Sequence, residues 1–194
     1  MRELKNVEER ILDRALYLMG KKKSCNISIR AIAKEANVNV SAINYYFRSK
    51  EEMLRLVKEF YIQNSQGVLS FLKNDEYTDE ERLLLASNEI MEYALQYPGN
   101  MIIYTHSLES ADSDPTSKMV VNISQEIGGL LQQAMGGLMS EDKFINQYKY
   151  LIFISSVNYP TESESIASFD RSWLEDKETR MNYIKAVINS VKSL

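Results

Sequence analysis

The sequence has few of the residues that cross-link a chain, interrupt helices or anchor it in a membrane. Its single cysteine, Cys25, excludes an internal disulfide and is typical of a reducing compartment. Only three prolines and seven glycines occur among 194 residues, so long helices are possible. No apolar run reaches about 18 residues, and residues 1–5 lack the apolar stretch of a signal peptide. We therefore expect a cytoplasmic protein without a membrane span.

Residues that carry enzymatic chemistry are equally scarce. The one histidine, His106, lies near Tyr104 and Ser107 with no nucleophile elbow, phosphate loop or metal-ligand spacing around it. The sequence places no histidine and no positively charged helix end beside Cys25 that would make its thiol reactive. A redox-sensor function is therefore weakly supported. We expect a protein that is not an enzyme and that has no cofactor and no metal site.

Residues 28–47, in contrast, have the pattern of two short helices joined by a tight turn. Apolar residues in the first helix recur at i, i+3, i+4 and i+7 and so share one face. They are Ile29, Ile32, Ala33 and Ala36. Ser28 is placed to cap this helix. Asn37 is placed to form the turn, because asparagine tolerates a positive φ.

The second short helix is expected to have a buried and an exposed face. Asn39 can cap its start, and Val38 can fill the angle between the two helices. Ile43 and Phe47 point inward at i and i+4, which leaves polar and aromatic side chains outside. This is the layout of a helix-turn-helix whose second helix enters a major groove.

Two kinds of DNA contact are expected from this motif and its flanks. Asn44 and Ser41 are candidate base readers, because asparagine can bond adenine through two hydrogen bonds. Tyr45 and Lys50 are candidate phosphate contacts, since a phenol can donate to phosphate and a lysine at a helix start adds charge to free N–H groups. The full set of candidate DNA contacts is Ser28, Arg30, Asn39, Val40, Ser41, Asn44, Tyr45, Tyr46 and Lys50.

Charge is concentrated around this motif. The chain has a formal net charge of −4, but residues 1–60 hold 13 Lys and Arg against 8 Asp and Glu, a net of +5. Residues 61–194 hold 10 against 19, a net of −9. A basic segment beside an acidic remainder indicates that only the first part meets phosphate. Chance clustering of surface charge is the alternative.

Helical patterns flank the motif on both sides. Before it, an amphipathic helix is expected to end at Gly20 and the lysines at 21–23. After it, Ser49 and Glu52 have the spacing of a capping box that opens a long helix. The apolar stripe of the first helix is Leu4, Val7, Ile11, Ala15 and Leu18.

Residues 7–58 resemble the DNA-binding domain of TetR-family transcriptional repressors. The likeness is carried by residues 32–38, with the sequence IAKEANV, and by residues 43–54, with the sequence INYYFRSKEEML. Two positions depart from the family pattern. Asn37 stands where glycine is usual, and Asn44-Tyr45-Tyr46 replaces an aromatic-aromatic-histidine run. Base reading at the first and third of these positions is therefore expected to differ from that of the best-known members.

The remainder of the chain is expected to be helical, because no alternating strand pattern stands out. Helices are predicted over residues 50–73, 78–97, 100–110 and 175–191, with two more beginning at 114–115 and at 140. Residues 158–172, around Pro160, are predicted to be a loop or a broken helix. Gly136-Gly137 is expected to end a helix, whereas Gly128-Gly129 has no comparable explanation.

The predicted fold class is all-α, with about nine helices. Residues 1–50 are assigned to a three-helix helix-turn-helix domain that binds DNA. Residues 51–194 are assigned to a larger helical domain for ligand binding and dimerisation.

The resemblance implies a repressor that binds its operator as a homodimer. Its last two long helices would pair with those of a second copy, although each apolar stripe could instead pack on its own core. The interface residues predicted in this way are Phe144, Leu151, Ile152, Met181, Ile184, Ile188 and Val191.

The resemblance also implies a small-molecule inducer among the middle helices. Methionine and tyrosine suit an apolar or aromatic ligand, and plain core packing is the alternative for each residue. The candidates are Met91, Tyr93, Met101, Tyr104, His106, Tyr148 and Phe153. Two other functions stay open: a constitutive DNA-binding regulator without a ligand, and a helical enzyme or adaptor with a vestigial DNA-binding head.

Overall fold

The computed structural model describes residues 6–162 and 172–194, and these ranges form ten α-helices and one short 3-10 helix. Nine of the α-helices have seven or more residues, so the all-α prediction is confirmed. The elements are α1 (Val7–Lys22), α2 (Ile29–Glu35), α3 (Val40–Tyr46), α4 (Lys50–Leu72), α5 (Asp79–Gln96), α6 (Asn100–Ser110), α7 (Pro115–Ala134), the 3-10 helix (Gly136–Leu138), α8 (Lys143–Glu162), α9 (Ser172–Glu175) and α10 (Lys177–Lys192).

The predicted capping box at the start of α5 is present in full. The N–H of Glu81 donates to the Thr78 hydroxyl at 3.3 Å, and the N–H of Thr78 donates to the Glu81 carboxylate at 2.8 Å. At the start of α4 only half of the predicted box forms. The N–H of Glu52 donates to the Ser49 hydroxyl at 3.1 Å, but the Glu52 carboxylate accepts from Arg55 instead.

The chain divides into two compact units, each built from two stretches of sequence. The first unit comprises the chain up to residue 64 together with residues 96–124, and the second comprises residues 65–95 and 125–194. Helices α1, α2, α3 and α6 thus belong to the first unit, α8, α9 and α10 belong to the second, and α5 lies in the second unit up to Leu95. The functional boundary predicted at residue 50 stays a prediction.

Within the first unit, α1 lies against the turn that precedes α6. Helix α1 ends within the predicted segment of Gly20 and the lysines at 21–23: its last residue is Lys22, and Lys23, whose φ is 50°, forms the cap. Gly20 is required by a close approach: a Cβ at this position would clash with the backbone of Pro98. A Cβ on Gly99 would likewise clash with the Leu16 carbonyl.

The second unit is organised around one hydrophobic cluster. Its buried side chains come from α4, α5, α7, α8, α9 and α10 and include Leu83, Met91, Leu131, Phe153, Leu174, Ile184, Ile188 and Val191. The apolar stripe of α10 therefore faces the core of its own chain. Gly136 and Gly137 follow the end of α7, as predicted.

Helix α8 does not end where the sequence predicted. It continues through Pro160 to Glu162, although the predicted loop or broken helix began at residue 158. Residues 163–171 of that predicted segment lie outside the described residues. Proline has no N–H, so Pro160 leaves the Ser156 carbonyl without its helical donor. The Tyr183 hydroxyl donates to that carbonyl at 2.8 Å, which explains why α8 tolerates proline here.

Candidate DNA-binding site

The helix-turn-helix forms with the caps and the turn that its sequence predicts. The Ser28 hydroxyl accepts from the N–H of Ala31 at 3.2 Å, and the Asn39 carbonyl oxygen of the side chain accepts from the N–H of Ser41 at 3.0 Å. Asn37 has a φ of 52°, in the left-handed region where the family usually has glycine. These contacts define the start of each helix and the turn between them through partners close in sequence.

Helix α3 has the two faces that its periodicity predicts. Ile43 is 1% exposed and Phe47 is buried beside it, so this face belongs to the core of the first unit. On the opposite face Tyr45 is 83% exposed, and Ser41 and Asn44 are also exposed. Large exposed aromatic side chains commonly mark binding surfaces. The outer face of α3 therefore has the composition of a contact surface.

The two tyrosines of α3 pack edge to face. Their ring centroids lie 5.2 Å apart with an interplanar angle of 86°. Tyr46 also contacts the buried Phe47, with centroids 6.3 Å apart, so Tyr46 links the exposed ring to the core. This stacking limits the freedom of Tyr45 and holds its hydroxyl out in solvent.

Two cations lie at helix starts next to α3. Arg30 is exposed in the first turn of α2. Lys50 is half-buried at the first position of α4, and its ammonium donates to the side-chain oxygen of Asn26. The partial positive charge of a helix N-terminus adds to that of each side chain and favours anions. Phosphate is an anion that such a pair of sites can accept.

Acidic side chains share the start of α4. The exposed Glu51 carboxylate accepts a hydrogen bond from its own backbone N–H and another from the Ser49 hydroxyl, which lowers its pKa. Glu51 is therefore ionised at neutral pH and lies beside Lys50 along the chain. Any phosphate that approaches this helix start does so against the field of that carboxylate.

The seven predicted ligand-binding residues do not come together in one unit. Met101, Tyr104 and His106 belong to the first unit, while the other four belong to the second. Met91 and Phe153 are completely buried in the hydrophobic cluster, so core packing explains them. Tyr93 packs against the same cluster, whereas Met101 and Tyr148 are exposed.

Cavities and unpartnered polar groups also bear on a ligand site. Two pockets in the described part of the chain, of about 440 and 220 Å³, lie on the second unit. Neither is lined by a predicted ligand residue. On α6, the Nδ1 atom of His106 and the Ser107 hydroxyl are buried and have no hydrogen-bond partner among the described residues. Burial lowers the pKa of His106, and the nearby Lys58 lowers it further.

The predicted interface residues divide between surface and core. Phe144, Leu151 and Ile152 lie on α8 and are exposed, and Tyr148 and Tyr159 extend the same exposed stripe. Met181 on α10 is half-buried. The α10 residues Ile184, Ile188 and Val191 require a correction, because they are buried in the core of their own chain and cannot form an outer surface. An apolar stripe predicts burial but does not say against which partner.

The structure also shows polar residues that the sequence reasoning missed. Lys58 is buried on α4, and its ammonium donates to the Asp114 carboxylate and to the Ser117 hydroxyl, each at 2.7 Å. Lys58 follows Val57 near the apolar face of an amphipathic helix, and this position could have indicated that the lysine is buried. No spacing or pattern in the sequence indicates that Asn26 is the partner of Lys50.

Membrane-spanning helices and metal-binding clusters are both absent from the part of the chain that the structure describes. None of the described helices is both long enough and apolar enough to cross a membrane. No group of three or more histidine, cysteine, aspartate or glutamate side chains in the described ranges could hold a metal ion.

Residues 11–57 match the family model described as "Bacterial regulatory proteins, tetR family". The protein named "Probable HTH-type transcriptional regulator YttP" of Bacillus subtilis (strain 168) is 33% identical over 90 residues. That match covers 45% of this chain and 44% of YttP, so it spans less than half of the length of this relative.

Solved structures resemble nearly the whole chain at low identity. A TetR-family transcriptional regulator from Bordetella parapertussis 12822 has a TM-score of 0.62 and 16% identity, with 96% of this chain and 94% of that chain covered. AibR in complex with isovaleryl coenzyme A and operator DNA has a TM-score of 0.62 and 16% identity, with 92% and 99% covered. At these identities the likeness concerns the fold. Residues 11–57 are therefore a helix-turn-helix domain of the tetR family of bacterial regulatory proteins, and nearly the whole chain has the fold of solved TetR-family regulators.

Proposed function

We propose that this protein is a sequence-specific DNA-binding transcriptional regulator, acting as a repressor in the cytoplasm, that inserts α3 into a major groove. The observation that carries this proposal is the outer face of α3, where Ser41, Asn44 and Tyr45 are exposed opposite the buried Ile43 and Phe47. The net charge of +5 on residues 1–60 supplies the attraction to phosphate. Members of this family are regulators and not enzymes, so no catalytic role is proposed.

The candidate contacts divide into base readers and phosphate contacts. Asn44 and Ser41 would hydrogen-bond base edges, and the Val40 side chain would contact a thymine methyl group. Tyr45 and Lys50 would hold phosphate and so fix the register of α3 in the groove. The remaining candidates, at the starts of α2 and α3 or at the end of α3, would contact the sugar-phosphate backbone. They are Ser28, Arg30, Asn39 and Tyr46.

We propose further that a second copy of the chain covers the exposed stripe of α8. Phe144, Tyr148, Leu151, Ile152 and Tyr159 recur at helical spacing, and such a stripe exceeds the scattered apolar residues of an ordinary surface. A two-fold dimer would present two α3 helices to half-sites about one helical turn of DNA apart. An operator with two-fold symmetry follows from that arrangement.

We propose in addition that a small molecule regulates DNA binding. AibR, similar in fold, was solved with isovaleryl coenzyme A and operator DNA. By analogy, an apolar ligand would bind among the middle helices and favour a conformation in which the two α3 helices no longer match their half-sites. Within the first unit, Tyr104 and His106 are predicted ligand residues that are neither fully buried nor largely exposed, and within the second unit the same holds for Tyr93.

One observation favours the constitutive regulator as a second candidate. Met91 and Phe153 are completely buried in the second unit, so no ligand is needed to cover them. Thermal unfolding in the presence of isovaleryl coenzyme A and of simple aromatic acids separates the two candidates. A ligand that binds the native state raises the midpoint and weakens operator binding. A midpoint unchanged by every compound supports constitutive binding.

DNA binding itself is tested by its salt dependence. The wild-type protein should bind a mixed-sequence duplex with an affinity that falls steeply as salt rises. Lys50→Ala should lower the affinity and reduce the slope of log K against log salt by about one. Lys185→Ala, which removes an exposed lysine from α10, is the matched control and should leave both quantities unchanged. Salt-independent binding, or equal slopes for the two variants, would contradict the proposal.

A further inference from the structure

The loop between α1 and α2 holds Asn26 in a fixed place. The N–H of Ser24 donates to the Met19 carbonyl at 3.1 Å, and the N–H of Asn26 donates to the Ser24 hydroxyl at 3.0 Å. The next residue, Ile27, is buried and anchors the loop to the core of the first unit. The backbone of Asn26 is thus tied on both sides, while its side chain is exposed.

The side chain of Asn26 joins this loop to the start of α4. Its Oδ1 atom accepts a hydrogen bond from the ammonium of Lys50, 24 residues further along the chain. An ammonium has three N–H groups, so two remain free to donate elsewhere. The contact therefore fixes the ammonium without using up its donors.

The Lys50 ammonium could in principle bind a carboxylate, that of Glu51, instead of the neutral amide of Asn26. Glu51 follows Lys50 in the first turn of α4, and its ionised carboxylate attracts the ammonium. An ammonium drawn onto that carboxylate would have its charge neutralised and would bind phosphate less well. The neutral amide of Asn26 instead holds the ammonium and leaves its positive charge intact.

We infer that Asn26 is a positioning residue for DNA binding: its side chain holds the Lys50 ammonium beside the N-terminus of α4, ready to meet a phosphate. This inference rests on the proposed function, in which Lys50 contacts the DNA backbone. A flexible lysine side chain loses rotational freedom when it binds phosphate, and fixing it beforehand removes part of that loss.

A double-mutant cycle tests the inference. Binding of the wild type, Asn26→Ala, Lys50→Ala and the double variant to one mixed-sequence duplex is measured at constant salt. We expect Asn26→Ala to weaken binding by about threefold to tenfold in the wild-type background. In the Lys50→Ala background the same change should have no further effect, because Asn26 acts through Lys50. Asn6→Ala, which removes the exposed cap of α1, is the control and should not weaken binding by the folded protein.

The outcomes separate this inference from the proposed function. Equal weakening by Asn26→Ala in both backgrounds would assign Asn26 to the loop structure or to a contact of its own, and would overturn the inference. No weakening in the wild-type background would also overturn it, while Lys50→Ala still reports on DNA binding. A wild-type protein without salt-dependent binding would remove the proposed function and the inference together.

Discussion

Lys58 and Asp114 form an ion pair within the first unit, with 2.7 Å between the ammonium nitrogen and a carboxylate oxygen. Lys58 is only 3% exposed, and the Asp114 carboxylate compensates its positive charge. The Ser117 hydroxyl lies 2.7 Å from both partners and completes the network. Removing one member of such a pair leaves the other incompletely compensated.

Replacing Lys58 should therefore destabilise the protein. Lys58→Met keeps the length of the side chain but leaves Asp114 without its cation, and we expect a loss of roughly 1–3 kcal/mol in the free energy of unfolding. Chemical denaturation at neutral pH measures this change. Lys73→Met, which removes an exposed ion pair to Glu126, is the control and should cost at most about 1 kcal/mol. Equal losses would show that burial of the pair is irrelevant.

Stability should also depend on acidic pH through Asp114. Burial alone would raise the pKa of this carboxyl, but hydrogen bonds from Lys58, Ser117 and the N–H of Thr116 outweigh it and lower the pKa to about 2. A depressed pKa gives stability that is fully present above about pH 4 and is lost as the pH falls toward 2. Denaturation curves at pH 5, 3 and 2 should show this loss in the wild type. The same curves for Asp114→Asn should be flatter, and an equally steep decline would contradict the assignment.

The Tyr183 hydroxyl should stabilise α8 at its proline. Tyr183→Phe leaves the Ser156 carbonyl without a donor, and we expect a loss of roughly 1–3 kcal/mol in the free energy of unfolding. In a Pro160→Ala background the helical N–H is restored, so the same change should cost clearly less. Equal costs in the two backgrounds would show that the hydroxyl does not compensate for the proline.

Two glycines should respond to alanine in opposite directions. Gly20→Ala places a methyl group against the Pro98 backbone and should destabilise the protein by about 1–3 kcal/mol. Gly129→Ala meets no atom within 4 Å inside α7, so helix propensity should stabilise the protein by about 0.5–1 kcal/mol. Thermal unfolding of both variants checks the signs. A stabilising Gly20→Ala would rule out the close approach of α1 to Pro98.

The exposed stripe of α8 makes the dimer testable. Leu151 is 63% exposed, so Leu151→Glu should leave the fold intact but place an unpaired charge in the proposed interface. Sedimentation should then find monomers where the wild type forms dimers. Met119→Glu, at a 55% exposed position on α7, is the control and should stay dimeric. Dimers of Leu151→Glu would move the interface elsewhere.

The sequence predicted those features that depend on neighbouring residues. Caps at Ser28, Asn39 and Thr78 and the turn at Asn37 involve partners two to four residues away, so their chemistry can be read directly from spacing. Helical periodicity gave the faces of α3 for the same reason. Features that depend on distant partners were missed. Gly20 is explained only by Pro98, and the continuation of α8 through Pro160 only by Tyr183.

The sequence also did not predict which surface each apolar stripe packs against. Periodicity correctly predicted that Ile184, Ile188 and Val191 share one face, but that face packs on its own chain. Phe144 and Leu151 show the same periodicity and are exposed. Their difference lies in the packing of the second unit, which local sequence does not encode.

The most direct test of α3 as the recognition helix is the operator preference of Asn44→Ala. Duplexes selected from one random library by the wild type and by this variant are sequenced and compared. We expect a two-fold symmetric operator for the wild type and a relaxed base preference at one position of each half-site for the variant. Identical operators bound with identical affinity by both proteins would contradict this expectation.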